Sequence, residues 1–147
     1  MSNVYKSKRP ESNFKVIAQA IQLRKELTTY VMTDFAVNGK LESMQQFFLN
    51  EERSAILGCL RDMLGCLVMA NSIYVTCLPE YELRRQYQDK AIGHCYRVVQ
   101  ELQYVIATLD GKINVNKYMR TARMITAEIG LIKSWRKADG KLKQQFK

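Results

Sequence analysis

His94 and Cys95 stand side by side in a chain with no other histidine. Acid–base or nucleophilic catalysis near neutral pH needs a base held beside a nucleophile, and histidine is the usual base. Consecutive side chains on a helix project about 100° apart and do not form such a dyad. His94 is therefore expected as a partly buried or interface residue. The four cysteines, Cys59, Cys66, Cys77 and Cys95, form no CxxC pair. Cys59 and Cys66 share a helix face, but zinc needs three or four converging ligands and nothing with metal-motif spacing accompanies them. The Glu-x-x-His pairs of di-iron bundles, the glycine-rich phosphate loops and the GxSxG elbow do not occur in the sequence. Reduced thiols in or near a core, no cofactor, no metal and no enzymatic activity are the expectation.

The chemistry that remains is cationic. Residues 112–147 carry ten Lys and Arg against two acids, whereas residues 1–111 carry thirteen against twelve. Nearly all of the net charge of +9 thus lies in the last quarter of the chain. Clustered cations gain affinity for a polyanion by releasing its counterions. Arg120 and Arg123 are three apart, with Lys117 within reach, and Lys133, Arg136 and Lys137 continue the charge along the same stretch. Lys141, Lys143 and Lys147 carry it to the end. Arg supplies bidentate phosphate contacts and Lys point charges, a mixture suited to backbone binding without base reading. Trp135 and Tyr118 lie among these cations, where they could stack on bases, but helical spacing places both on a buried face, and core packing is their expected role. A smaller group, Arg84, Arg85, Lys90 and Arg97, has Glu80, Glu82 and Asp89 beside it and reads as a charged face with helical ion pairs.

The elements that would position these cations are helices. Seven Gly and two Pro in 147 residues, with 47% hydrophobic and 25% charged side chains, describe a folded chain of long helices. Val16, Ala20, Leu23, Leu27 and Tyr30 recur at spacings of four and three, flanked by Ile17, Ile21 and Val31, from a start at Ser12 or Asn13 to a stop near Asn38-Gly39. Residues 40–50 show no sustained period and read as a long loop or short helical turn. Asn50 with Glu51 and Glu52 looks like the capped start of a second helix, striped by Ile56, Leu60, Met63, Leu67, Ala70 and Tyr74 and ending before Leu78-Pro79. Pro79 suits the first turn of a third helix, whose stripe is Ala91, Cys95, Val98, Leu102, Val105 and Leu109. Asp110-Gly111 stops it. The fourth starts near Asn114 or Asn116, carries Tyr118, Ala122, Ile125, Ile129 and Ile132 on one face, and stops at Asp139-Gly140.

Four such helices joined by short turns predict an all-α, antiparallel up-down-up-down four-helix bundle. The predicted organisation is a flexible basic arm over residues 1–12, the bundle over 13–138 and a basic tail over 139–147. A single domain of this size buries about two thirds of its unfolded surface. No apolar run of 18 residues and no signal-peptide stretch stand out, so a cytoplasmic protein that does not enter a membrane is expected.

Within the fourth helix, Ala127-Glu128-Ile129-Gly130, then Ser134-Trp135 and basic residues, resembles the closing helix of the accessory variability determinant (Avd) proteins of diversity-generating retroelements. These belong to a wider four-helix-bundle family that includes proteins encoded by 23S ribosomal RNA intervening sequences. The helix from Cys95-Tyr96-Arg97 to Leu109 and the start at Asn114, Lys117, Tyr118 and Met119 agree in kind. Residues 40–50 are longer, and the tail after Trp135 more Lys-rich, than the family pattern. The resemblance implies a homopentamer of bundles that binds a reverse transcriptase and its template-repeat RNA or cDNA and supports mutagenic retrohoming without a catalytic site of its own. On that resemblance, Arg120, Arg123, Lys133, Arg136 and Lys137 match the family's contact surface in location and type. Two other readings stay open: a ribosomal-RNA-associated bundle protein, and a structural helical scaffold whose basic tail serves solubility.

Overall fold

The computed structural model describes residues 11–33 and 35–146, with side chains from Lys15 onward. Four helices follow in order: α1 (Glu11–Met32), α2 (Ser43–Ser72), α3 (Leu78–Thr108) and α4 (Val115–Lys143). Each packs against two neighbours, α1 on α2, α2 on α3, α3 on α4 and α4 back on α1, with α2 against α3 the most extensive pairing. This closed ring is the four-helix bundle that the spacing of apolar residues predicts.

The loops show how the helices alternate in direction. After α1, Val37 pairs with Ile113 of the α3–α4 loop in a single antiparallel bridge. The Asn38 N–H donates to the Lys112 carbonyl at 2.6 Å, and the Asn114 N–H donates to the Ala36 carbonyl at 2.7 Å. The end of α1 and the start of α4 are thereby tied at one end of the bundle. At the other, Arg84 near the start of α3 donates to the Ile73 carbonyl of the α2–α3 connection and to Asp139 in the last turns of α4.

The core follows the stripes. Val16, Ala20, Leu23, Leu27 and Val31 of α1 meet Leu49, Ile56, Cys59, Leu60, Met63, Leu67 and Ala70 of α2 in one cluster. Ala91, Cys95, Val98, Leu102 and Val105 of α3 complete it with Ile125, Ile129, Ile132 and Trp135 of α4. Four stripe residues leave it: Tyr30, Tyr118 and Ala122 are only partly buried and Tyr74 is exposed. By length and composition α2 is apolar enough to cross a membrane; in the bundle it contributes seven buried residues to the core.

Besides the end of α1, which falls at Met32 and not near Asn38-Gly39, three boundaries differ from the expected ones. The segment over residues 43–50 is helical, not a loop. Its start is held by the Glu42 N–H donating to Gln45 Oε1 at 2.9 Å, a half of the reciprocal capping arrangement. No period shows there in the sequence because Met44 and Phe47 face solvent while Leu49 is buried and Phe48 packs edge-on to Tyr104. Asn50, expected as a cap, instead accepts mid-helix from Gln46 and Arg53. The second difference is the end of α4, which passes through Asp139-Gly140 to Lys143, so the boundary between bundle and tail does not fall at 139. Gly111 adopts the left-handed backbone that stops a helix, but Gly140 does not, and Asp139 is buried as an ion partner. The third is the start of α1 at Glu11; the basic arm expected before it lies, over residues 1–10, outside the described residues.

Candidate nucleic-acid interface

All eight cations singled out as binding residues lie on α4, but its two neighbours divide them. Arg136 reaches toward α3, where its Nη1 donates to Asp89 Oδ1 at 2.7 Å. Lys133, also on that flank, donates from Nζ to the Tyr96 hydroxyl at 3.3 Å and lies over the Tyr96 ring. On the opposite flank, Lys117 and Arg120 line a groove shared with α1. There the Arg120 guanidinium stands 3.9 Å from Glu26, with its side chain 79% exposed. Arg123, Lys137, Lys141 and Lys143 are exposed and meet no acid among the described residues. The expected cluster is therefore an outward set with two flanks.

What joins the set is the fate of the acids. α4 contains two, Glu128 and Asp139, and both are buried. Every charge that this helix shows to solvent is positive. Between Arg123 and Lys137 its exposed positions include Ala127, Gly130 and Ser134, and side chains this short leave room for a phosphate backbone along the helix. From Arg123 to Lys141 that edge is about 27 Å long at the usual rise per residue.

Asp139 is occupied internally. Its Oδ1 accepts from Arg84 Nη1 at 2.9 Å and its Oδ2 from Gln88 Nε2 at 3.0 Å. The Arg84 guanidinium also lies 5.8 Å from the Trp135 ring centre. Arg84 thus belongs to a buried clasp joining α3 to α4. Of the remaining α3 cations, Arg85 pairs with Asp89 four residues on at 3.6 Å, and Lys90 lies over Tyr87.

Glu128 has no such partner: both carboxyl oxygens are buried and unbonded among the described residues. Burial pushes its acid up to about 8, so at neutral pH it is mostly the uncharged form that the core accepts. It faces Cys95 of α3, whose thiol is driven up to about 12 by burial and then by the Glu128 charge. On the α2–α3 side, Glu52 is raised to about 7 by burial, then by the neighbouring Glu101. Cys59 and Cys66 are also raised by burial, and all four cysteines are free. A raised thiol is a weak nucleophile at neutral pH. His94 sits half-buried beside Cys66 and Asp62 in a shallow groove between α2 and α3. Among the described residues no three His, Cys, Asp or Glu side chains converge to hold a metal.

Sequence reasoning missed the Arg84–Asp139–Gln88 clasp, although its trace is present. Extended toward its N-terminus, the α3 stripe steps from Ala91 to Gln88, Arg84 and Tyr81. The α4 stripe steps from Trp135 to Asp139. Polar residues at core positions on two helices are a sign that they pair.

The fold and the exposed charges together define a class, the four-helix bundle with one wholly cationic outer helix. No family model, curated protein or solved structure matches the chain.

Proposed function

We propose that this chain is a non-enzymatic nucleic-acid-binding subunit that presents the outer face of α4 to a phosphate backbone. The observation that carries the reading is the burial of both α4 acids, which leaves that helix's exterior uniformly positive. Arg123, Lys137 and Lys141 are the central contacts, Lys143 extends them, Lys117 and Arg120 reach from the α1 flank, and Lys133 and Arg136 from the α3 flank. Contacts of this kind bind without regard to sequence and weaken steeply with salt.

The finer reading takes its support from the resemblance of α4 to the Avd proteins. On it, the subunit serves a reverse transcriptase of a diversity-generating retroelement, holding template-repeat RNA or cDNA during mutagenic retrohoming, and it assembles as a homo-oligomer in the cytoplasm. A surface for protein partners lies at one end of the bundle. Met32 at the end of α1, Met44 and Phe47 at the start of α2, Tyr104 near the end of α3, and Val115 and Met119 at the start of α4 are all exposed there. Exposed apolar side chains gathered in one region mark protein contacts. They lie at the opposite end from Lys137 and Lys141, so a partner there and a polyanion on α4 do not compete.

Co-expression with the reverse transcriptase of the same locus tests the finer reading. The expected result is co-elution that survives nuclease treatment and is lost on replacing Met44 and Phe47 together with Glu. A chain that binds RNA but never co-elutes with the polymerase contradicts it and favours the ribosomal-RNA-associated alternative.

A further inference from the structure

The groove between the second half of α1 and the first half of α4 encloses about 360 Å³, within the range of small-molecule sites. Its composition is two-sided. Tyr30 and Met124 supply a ring and a thioether to its lining, while Lys25, Lys117 and Arg120 bring cations to it. Glu26 is the acid among the lining residues, and it holds Arg120 only at 3.9 Å. Gln22, also in the lining, donates to Glu26 at 3.0 Å, so an amide and a carboxylate add hydrogen-bonding groups to the lining. A ligand matching this pattern has a flat apolar body with a polar edge and an attached anion.

We infer that this groove binds one unpaired nucleotide, its base against Tyr30 and Met124 and its phosphate on Lys25, Lys117 and Arg120. Bases stack on aromatic faces whatever their sequence, and arginine and lysine take the phosphate as they do elsewhere. Gln22 and Glu26 face the base edge, contacts that an aliphatic chain would leave unused. The site deepens the α4 reading, on which it rests for its natural source: the groove takes a splayed nucleotide of the strand whose backbone follows Arg123, Lys137 and Lys141.

The test is methyl NMR of the full chain labelled at methionine, titrated with AMP, adenosine, ribose 5-phosphate and decanoate. AMP is expected to give a saturable shift at Met124, with adenosine and ribose 5-phosphate each at least about tenfold weaker because each lacks one half of the contact. Lys117→Ala with Arg120→Ala is expected to weaken AMP by a similar factor while leaving adenosine unchanged, and the other methionine signals report that the fold is kept. No saturable shift at Met124 overturns the inference. So does ribose 5-phosphate binding as well as AMP, which makes the groove a phosphate site only, or decanoate binding more tightly than AMP, which makes it a lipid site. An RNA titration in parallel separates the two levels. RNA bound with Met124 unmoved removes the groove and leaves the α4 reading standing, whereas AMP at Met124 without RNA affinity keeps the groove and removes that reading.

Discussion

Glu128 occupies a position where the α4 stripe asks for an apolar side chain, seven residues before Trp135 and three after Ile125. An ionised carboxylate there lacks both water and hydrogen bonds, so the folded chain holds the proton up to about pH 8. Cys95 from α3 is the titratable group that feels its charge. Between the ordinary value of 4.5 and about 8 the folded state carries a proton that the unfolded state has lost, so stability falls as pH rises through that window. The contribution is complete below pH 4.5, is gone above about pH 8, and declines between them by at most about 1.4 kcal/mol per pH unit. Glu52, raised to about 7, adds a decline of the same sign that ends one unit lower. Urea unfolding across this range is expected to show the midpoint dropping toward alkaline pH. In Glu128→Met the drop is expected to be shallower and to end near pH 7, where Glu52 finishes titrating. A Glu128→Met profile parallel to the unmodified one contradicts a buried neutral Glu128.

At the scale of helices, the clasp of Arg84, Gln88 and Asp139 fixes the last turns of α4 against the start of α3, with the Arg84 and Asp139 side chains 12% and 6% exposed. Removing one member of a buried pair strands the other charge. Asp139→Ala is expected to cost about 3 to 5 kcal/mol in urea unfolding, and Arg84→Met combined with Asp139→Leu to recover most of it. A single-substitution loss below about 0.5 kcal/mol, the range of surface changes, contradicts a buried clasp. The same residue shows where helix ends were legible and where they were not. Asp110-Gly111 marks a real stop just past the end of α3, with Gly111 at positive φ; Gly39 takes positive φ too, but α1 has already ended at Met32. Asp139-Gly140 has the same letters and no stop, because Asp139 finds a partner on another helix, which local chemistry cannot reveal. After α1 the chain already turns at Phe35 and Ala36, two non-glycine residues with positive φ. Their burial, the Phe35 N–H bond to the Tyr30 carbonyl and the Asn114 N–H bond to Ala36 hold that turn. Core periodicity was legible in all four helices because burial follows side-chain spacing. The first turns of α2 were not, since Met44 and Phe47 are exposed there.

Over the whole molecule, the sequence places the excess charge on the last helix, and folding sorts it. Burying Glu128 and Asp139 removes the negative charges from the exterior of α4, while Asp89 engages Arg136 and Tyr96 engages Lys133. The cations were legible as a group from composition. Their division into an outward edge and two flanks depends on what α1 and α3 present, and so needed the fold. On the reading proposed above, the outward edge would serve phosphates and the apolar far end a protein partner, as two separate surfaces. The most direct measurement is the salt dependence of RNA affinity for the intact chain against Arg123→Ala, Lys137→Ala and Lys141→Ala combined. Each lost phosphate contact reduces the slope of log affinity against log salt by about 0.7 to 0.9. The expected result is a slope shallower by about 2 to 3, with weaker binding to unrelated RNA sequences alike and an unchanged urea midpoint. An unaltered slope and affinity in the triple variant would contradict a phosphate-binding face on α4.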